Sequence, residues 1–435
     1  MTARLTSVDT STDEALLDDL QHAAFDYFLH AVNPSNGLVA DNSRADSPCS
    51  IAVVGFALSV YPIAVERGWM SRADALTCSL ATVRFFQESE QSSRSDATGY
   101  NGFYYHFLDM QTGRRVWRCE LSMIDTALLM VGVLTAAMYF TGNTAQEAEL
   151  RELADALYRR IDWRWAQNDR PTISHGWKPE SEFLNYCWDG YNEAIVLYVL
   201  ALGSPTYPLS EHCYHAWTAT YQWENLYGHD FLYAGPLFAH QFSHAWIDLR
   251  SIADRFMREK RCDYFENSRR ATEVQREYAR RNPRSFVGYD ENCWGFTACD
   301  GPSDEDPHIA NERRSLFGYA ARGVPYGPDD GTIAPTAALA SLPFAPESAL
   351  NAVRAMTQRY PQIQSAQRYT SSFNPSLVNS DGRVWMSAGY FGLDQGIVAL
   401  MIENYRTQLI WRLIRNCQYV VTGLRRAGFS GGWLS

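Results

Sequence analysis

The stretch Ser122-Met-Ile-Asp125-Thr-Ala-Leu-Leu-Met-Val-Gly-Val-Leu-Thr-Ala-Ala-Met-Tyr-Phe140 decides the fold class. Its apolar residues recur at three- and four-residue spacing, which predicts an α-helix. Ser122 and Asp125 fit a capping box in its first turn. The most apolar part, residues 126–139, forms only about three to four helical turns and is therefore too short to span a bilayer.

The same spacing recurs along the chain and predicts an all-α domain of eleven or twelve helices. We expect one catalytic domain over residues 1–435, with a flexible N-terminus at 1–12. The long loops between helices contain aromatic residues, Gly and Asp, and loops of this kind usually carry function. Helix pairs closed into a toroid, an (α/α)6 barrel, place such loops at one mouth, although an open helical array fits the pattern as well. The predicted helices cover residues 13–30, 50–67, 71–90, 122–140, 145–163, 189–202, 210–223, 238–252, 254–281, 347–360 and 393–423.

The composition is that of a packed globular protein with an acidic surface. Of 435 residues, 46% are hydrophobic, and 38 basic and 49 acidic side chains give a net charge of −11. This charge argues against a nucleic acid or an anionic membrane as partner. Thirteen Trp, 25 Tyr and 21 Phe supply more rings than a core explains, because Tyr and Trp carry polar edges that need partners. A cleft lined with rings that stack on sugars is one use for them.

The cysteines and the N-terminal sequence indicate the state of the thiols and the location of the protein. The nine cysteines are scattered and contain no CxxC pair, which favours buried free thiols over disulfides or a zinc site. The N-terminal sequence has no apolar stretch of the kind that a signal peptide carries. We therefore expect a cytoplasmic location for the chain as written, or a periplasmic one if a leader has been removed.

Asp189 and Glu193, within Trp188-Asp-Gly-Tyr191-Asn-Glu, lie four residues apart, which predicts one shared helix face. Trp188 and Tyr191 flank them. A carboxyl group against aromatic rings resists ionisation, and a general acid that works near neutral pH needs this property. The two acids could equally complement the helix dipole, and the residues alone leave both interpretations open.

Three further segments carry acidic or aromatic candidates. Capping accounts for Asp125, whereas Glu120 beside it has no structural explanation. The Gly and Asp residues around Trp294 and Asp330 suit turns, but turn chemistry does not explain Trp294. Both loops lead into predicted helices.

Asp394 and Glu403 lie nine residues apart on one predicted helix. At 3.6 residues per turn they face opposite ways, so only one of them can face a given cleft. An N-cap role for Asp394 and an ion pair between Glu403 and Arg406 are the simple alternatives.

His240, His244 and Asp248 recur every four residues and could together hold zinc or iron. Gln241, however, stands where the zincin motif H-E-x-x-H has its general base. We therefore favour polar contacts to neighbouring helices or to a ligand, and predict no metal and no cofactor.

Seven segments in order, from about residue 50 to 406, resemble the glycoamylase-like domain family, which includes bacterial β-1,2-glucanases. They are Ser50-Ile-Ala-Val-Val-Gly-Phe, Cys119-Glu-Leu-Ser-Met-Ile-Asp-Thr-Ala-Leu-Leu, Gly190-Tyr-Asn-Glu-Ala, Leu202-Gly-Ser-Pro-Thr, Gly235-Pro-Leu-Phe-Ala-His-Gln-Phe-Ser-His-Ala-Trp-Ile-Asp, Asp330-Gly-Thr-Ile-Ala-Pro-Thr-Ala-Ala, and Leu393-Asp-Gln-Gly through Met401-Ile-Glu-Asn-Tyr-Arg406. The segment Tyr369-Thr-Ser-Ser-Phe-Asn-Pro departs from the pattern, since it lacks the Gly and Asp usual there.

This resemblance implies an (α/α)6 barrel and an inverting glycoside hydrolase that cleaves β-1,2-linked glucan or its oligosaccharides. Glu193 matches the general acid of the family, and Asp394 is the best match for the general base. On the same basis the cleft that binds the glucan is expected to contain Glu120, Asp125, Trp188, Asp189, Tyr191, His240, His244, Trp294, Asp330, Tyr390 and Glu403.

Other functions remain open at this stage. A glucan-remodelling transglycosylase on the same scaffold, a hydrolase of another glucan linkage and a non-catalytic glycan-binding protein all fit the pattern. A helical-toroid isoprenoid cyclase fits less well, because the chain lacks a good Asp-rich motif. The sequence contains no GxGxxG motif after a strand, no Walker loop and no G-x-S-x-G elbow.

Overall fold

The computed structural model describes residues 10–303, 308–309, 312–313, 315–366 and 368–435. Within these ranges the chain is mainly helical, as the apolar spacing predicts. The helices are α1 (Thr10–His30), α2 (Ile51–Glu66), α3 (Arg72–Glu88), α4 (Met123–Tyr139), α5 (Ala145–Arg160), α6 (Trp163–Gln167), α7 (Ile195–Gly203), α8 (Glu211–Thr218), α9 (Phe238–Trp246), α10 (Arg255–Glu259), α11 (Tyr264–Arg281), α12 (Pro335–Ala340), α13 (Pro346–Arg359), α14 (Gly392–Arg406), α15 (Leu409–Arg415) and α16 (Gln418–Arg426).

Six apolar helices form a closed inner ring in the order α2, α4, α7, α9, α12, α14. Neighbouring helices pack directly from α2 to α4, α4 to α7, α12 to α14 and α14 to α2. Hydrogen bonds complete the ring, since Val196 N of α7 donates to Ser243 Oγ of α9, and Gln241 Nε2 of α9 donates to Ala337 O of α12. The outer helices α1, α3, α5, α8, α11 and α13 alternate with the inner ones along the chain. This arrangement is the (α/α)6 barrel, so the predicted fold class is confirmed.

The two ends of the ring differ. At one end α15 packs against α4, α9 and α14, and Trp411 Nε1 donates to His244 O near the end of α9. The opposite end, where the inner helices begin, carries the long loops. Because α15 closes one end, a ligand enters the ring through the opposite, open end.

Short strands shape this mouth. The sheet β2-β3-β5-β6-β7 leads directly into α4, because Ser122 ends β5 and also caps α4. The strands are β1 (Cys49–Ser50), β2 (Gly99–Tyr100), β3 (Phe103–Tyr105), β4 (Phe107–Leu108), β5 (Leu121–Ser122), β6 (Gly176–Lys178), β7 (Glu182–Phe183), β8 (Trp223–Leu226), β9 (His229–Leu232), β10 (Ala298–Cys299), β11 (His308–Ile309), β12 (Glu312–Arg313), β13 (Ala320–Ala321), β14 (Gln364–Ser365), β15 (Arg368–Tyr369), β16 (Phe373–Val378) and β17 (Val384–Met386).

Several predicted helix boundaries are wrong. The single helix predicted over 393–423 is three helices, because Gln408 adopts a left-handed backbone (φ 62°) after α14. The helix predicted over 254–281 is interrupted in the same way at Arg261 (φ 53°). The helix predicted from Asp189 begins only at Ile195, and Gly190 lies in the left-handed region (φ 69°) within the preceding turn. Such breaks depend on tertiary contacts, which apolar spacing does not report.

Two further expectations concern the chain as a whole. The predicted flexible N-terminus at 1–12 falls mostly on residues 1–9, which lie outside the described residues, and α1 begins at Thr10. Among the described helices, none is long and apolar enough to cross a membrane.

The closest approach within the ring is between α2 and α4, where two glycines face each other. A Cβ added at Gly132 would lie 2.1 Å from Gly55 O. We therefore expect Gly132→Ala to force the helices apart and to lower the free energy of unfolding by about 2 kcal/mol or more. Urea denaturation followed by circular dichroism measures this loss. An unchanged midpoint would contradict the packing described for this pair.

Candidate active site

A cavity of about 650 Å³ lies at the open end of the ring. Four of the six inner helices contribute residues from their first two turns, and α7 contributes Glu193 from the turn that precedes it. Further walls come from the loops before α2, between β3 and β4, and around β13. The residues with polar side chains that line it are Asp41, His106, Glu120, Ser122, Asp125, His175, Trp188, Glu193, Gln241, Thr297, Tyr319, Thr336, Ser371 and Asp394.

Glu193 lies in the turn just before α7, and backbone contacts fix that turn. Trp217 Nε1 donates to Gly190 O at 2.7 Å, and Gly190 N donates to Thr220 Oγ1 at 2.6 Å. Ser243 Oγ of α9 donates to Glu193 O at 2.6 Å. The carboxyl group therefore projects into the cavity from a backbone that neighbouring helices hold in place.

The environment of Glu193 favours its protonated form. Burial is the largest effect, and the nearby Asp125 carboxylate acts in the same direction, whereas a hydrogen bond from the backbone opposes them. Together these effects raise the pKa of Glu193 to about 7. A carboxylic acid that keeps its proton near neutral pH can act as a proton donor.

Asp394 lies in the first turn of α14 and faces the same cavity. Thr336 Oγ1 donates to its Oδ1 at 3.3 Å, whereas Oδ2 is buried and has no hydrogen-bond partner among the described residues. Burial raises the pKa of Asp394 to about 7, while the hydroxyls of Ser371 and Thr336 lower it. These hydroxyls and the positive end of the helix dipole stabilise the ionised form, which a general base needs.

Glu193 and Asp394 occupy opposite walls. Glu193 precedes the third inner helix and Asp394 begins the sixth, so two inner helices separate them in either direction around the ring. A ligand in the cavity therefore meets one carboxyl group on each side.

His106 connects two further carboxylates beside Glu193. Its backbone N donates to Glu120 O, its Nδ1 lies 2.9 Å from Glu120 Oε1, and its Nε2 lies 3.6 Å from Asp125 Oδ2. Although burial lowers the pKa of His106, Asp125 and Glu120 raise it to about 9, so the ring is protonated at neutral pH. Burial raises the pKa of Glu120, but the bond to His106 outweighs it and lowers the value to about 2.

His106, Glu120 and Asp125 also place potential metal ligand atoms within 4.8 Å of one another. Each ring nitrogen, however, faces a different carboxylate. The group is therefore an ion-pair network that orders the cavity wall. The absence of a metal stays a prediction.

The cavity brings together five of the residues predicted from the sequence, which are Glu120, Asp125, Trp188, Glu193 and Asp394. Ser122 caps α4 by accepting a hydrogen bond from Asp125 N, its hydroxyl donates to Asp125 Oδ2, and Asp125 also faces the cavity. The indole of Trp188 stacks on His175, with 4.1 Å between ring centroids.

Other predicted residues lie outside the cavity, and their side chains contact other parts of the protein. Asp189 is exposed and accepts a bond from Thr172 Oγ1, and Tyr191 packs behind the cavity against Tyr264. His240 Nε2 bonds Ala234 O, and His244 Nε2 bonds Ser268 Oγ, so both histidines are buried in contacts between elements. The sugar-binding roles predicted for these four residues are not supported by their placement.

The same correction applies to four more residues. Trp294 is fully buried in the core, and Tyr390 lies next to Arg368 outside the cavity. Asp330 forms a buried ion pair with Arg322. Glu403 accepts bonds from Arg67 and Gln21, so it faces away from Asp394, as its spacing predicts, and lies outside the cavity.

Sequence analysis missed Asp41, His106 and Tyr319. Asp41 and His106 come from loops whose partners are distant in the chain. Tyr319 lies on the loop that the Arg322–Asp330 ion pair anchors, since Phe317 N also donates to Asp330 Oδ2. Asp330 therefore supports the site indirectly.

The fold and the cavity define an (α/α)6-barrel protein with two carboxyl groups opposed across one pocket. Residues 185–418, more than half of the chain, match the sequence profile of the Glycoamylase family, described as "Putative glucoamylase". The chain belongs to this family, and the resemblance found in the sequence is confirmed.

Known relatives are similar over nearly all of this chain. An exo β-1,2-glucooligosaccharide sophorohydrolase (non-reducing end) of Parabacteroides distasonis is 28% identical over 95% of the chain, which spans 58% of the length of that curated relative. A crystal structure from Bacteroides uniformis, described in the same words as the family, has a TM-score of 0.86 at 29% identity and full coverage of both chains. The endo-β-1,2-glucanase of Chitinophaga pinensis, solved with sophorotriose and glucose, has a TM-score of 0.82 at 25% identity over 97% of this chain and 99% of that one.

Replacing Glu193 by Gln is expected to stabilise the protein at high pH. A carboxyl group whose pKa rises from 4.5 to about 7 on folding costs nothing below pH 4.5, and its cost is fully present above pH 7. Because the side chain is partly open to the cavity, we expect a gain of about 2 kcal/mol at pH 8 and none at pH 4. Urea unfolding at both pH values measures the difference.

Asp189→Asn is the matched control, since it removes an exposed carboxyl group four residues away. It should leave the free energy of unfolding unchanged at both pH values. Equal effects of the two substitutions would contradict the environment described for Glu193.

Proposed function

We propose that this protein is an inverting glycoside hydrolase that cleaves β-1,2-linked glucan or its oligosaccharides. The observation that carries the proposal is the pair of carboxyl groups, Glu193 and Asp394, on opposite walls of one cavity, each with a pKa of about 7. Inverting glycosidases use an acid on one side of the sugar and a base on the other. The names of the Parabacteroides and Chitinophaga relatives support the β-1,2 linkage.

The different surroundings of the two groups assign their roles. Both groups have neighbouring carboxylates that oppose ionisation, Asp125 near Glu193 and Asp41 and Asp300 near Asp394. Only Asp394 also has side-chain hydroxyls, Thr336 and Ser371, that support its charge, so we assign it as the general base and Glu193 as the general acid.

The reaction follows from these positions. Glu193 donates its proton to the glycosidic oxygen as the C1–O bond breaks and an oxocarbenium-like transition state forms. A water molecule on the opposite face attacks C1 and gives its proton to Asp394. The products are a shortened glucan and a sugar with inverted configuration at C1, and proton exchange with solvent restores both carboxyl groups.

The ion-pair network and the aromatic wall support this chemistry. Protonated His106 holds Glu120 and Asp125 at the wall beside Glu193, where charged oxygens can accept bonds from sugar hydroxyls. Trp188 adds a flat apolar face next to Glu193. Together these groups suit a neutral ligand that is rich in hydroxyls.

Glu193→Gln tests the assignment of the acid. The variant keeps the shape of the side chain but has no proton to donate, so we expect the rate of sophoro-oligosaccharide release from linear β-1,2-glucan to fall by at least about a hundredfold. Chromatography of timed samples measures this rate. The control Asp189→Asn should retain the wild-type rate.

Near-normal turnover by Glu193→Gln would overturn the acid assignment. If the wild-type protein releases nothing from linear or cyclic β-1,2-glucan, the linkage is wrong, and the same assay on other glucans identifies the substrate.

The pH profile tests the two roles separately. Activity requires protonated Glu193 and ionised Asp394, so kcat/KM should follow a bell-shaped curve with its maximum near pH 7. Asp125→Asn removes a charge that raises the pKa of Glu193, which moves the alkaline limb to lower pH. Asp41→Asn removes a charge that raises the pKa of Asp394, which moves the acidic limb to lower pH.

Each of these two substitutions is the control for the other, because each should move one limb and leave the other in place. If Asp125→Asn moved only the acidic limb, the roles of Glu193 and Asp394 would have to be exchanged.

A further inference from the structure

A second depression, with a volume of about 850 Å³, adjoins the catalytic cavity. We name it the Trp117 groove and define it by Asn42, Ser43, Arg44, Asp46, Gln111 and Trp117. Nothing in the proposed mechanism uses it.

The groove meets the cavity at three pairs of neighbouring residues. Asn42 Nδ2 donates to Asp41 Oδ2 at 2.9 Å, and Asp41 lines the cavity. The ring of Trp117 lies 5.1 Å from that of Phe107, and the guanidinium of Arg44 lies 5.1 Å from the ring centre of Phe391. Phe107 and Phe391 both line the cavity. These contacts place the groove directly beside the wall of the cavity.

Trp117 is an unusual residue for a structural role. It is 68% exposed, and its backbone is left-handed with φ 57°, as is that of Arg118 with φ 51°. A large exposed ring and a left-handed non-glycine backbone both cost stability, and such costs concentrate at binding sites. The contact with Phe107 stabilises this arrangement only a little, because most of the indole faces solvent.

The chemistry of the groove indicates its ligand. The lining contains two arginines, Arg44 and Arg368, and two aspartates, Asp46 and Asp109, and Arg44 is ion-paired with Asp300. The neighbouring Asn42, Ser43 and Gln111 have neutral polar side chains. Mixed charges do not suit an anion or a cation, whereas a flat indole beside amides and hydroxyls suits the ring faces and hydroxyls of a neutral sugar.

We propose that the Trp117 groove binds the glucosyl units of the substrate that extend beyond the catalytic cavity. This inference rests on the proposed function, since it assigns the groove to the same glucan chain. It makes Trp117 a residue that selects for chain length and takes no part in bond cleavage.

Trp117→Ala tests this assignment with β-1,2-oligosaccharides of increasing length. We expect kcat/KM on the longest oligosaccharides to fall about tenfold, with no change on the shortest oligosaccharide that is cleaved. Trp117→Phe, which keeps a ring, should recover most of the loss. Tyr207→Ala is the control, because Tyr207 is an exposed ring beyond the C-terminal end of α7, away from Glu193.

Binding provides the second measurement. In the Glu193→Gln background, calorimetry should show the same length-dependent, roughly tenfold rise in Kd when Trp117 is replaced by Ala. An equal loss at every length, or no loss at any length, overturns the assignment of the groove, and so does a failure of the protein to bind any of the oligosaccharides.

The two proposals fail in different ways. If long oligosaccharides bind through Trp117 but the wild-type protein releases no product, the groove assignment stands and the proposed hydrolysis is wrong. If the wild-type protein cleaves long and short chains but Trp117→Ala changes neither, the hydrolysis stands and the groove assignment is wrong.

Discussion

Closure of six apolar helices into a ring is the constraint on which the remaining structure depends. The inner helices hide their apolar surfaces from water only when each has a neighbour on both sides, and the contact of Gly55 with Gly132 lets α2 and α4 approach closely enough. Closure also brings the first turns of these helices to one end, while α15 blocks the other. The cavity is therefore a consequence of how the core packs, and residues far apart in the chain, such as Glu193 and Asp394, come to face each other.

The same burial that stabilises the ring creates the chemistry of the site. A carboxyl group surrounded by protein where the inner helices begin keeps its proton to higher pH than in solution. Glu193 and Asp394 share this effect and both have neighbouring carboxylates, but only Asp394 also has the hydroxyls of Thr336 and Ser371 beside it. His106 has the opposite task, because its positive charge keeps Glu120 ionised at the wall of the same cavity.

Sequence patterns predicted the helices and part of the site, for identifiable reasons. Apolar spacing reports which face of a helix is buried, so the opposite orientations of Asp394 and Glu403 followed from their separation of nine residues. It does not report whether a buried polar group faces a cavity or another helix. The family resemblance placed His240 and His244 in the cleft, whereas both bond to neighbouring elements. The sequence did not predict His106 as a site residue, because its role depends on Glu120 and Asp125, which the β3–β5 pairing brings beside it.

The stereochemistry of the reaction tests the central claim, that two carboxyl groups on opposite walls act as acid and base on one glycosidic bond. Proton NMR of the wild-type protein mixed with β-1,2-glucan, recorded before the sugar anomers equilibrate, reports the configuration of the new reducing end. Inversion of a β-linkage predicts that the α-anomer forms first. First formation of the β-anomer would contradict the account, because it would require a covalent intermediate or a second transfer in place of direct attack by water.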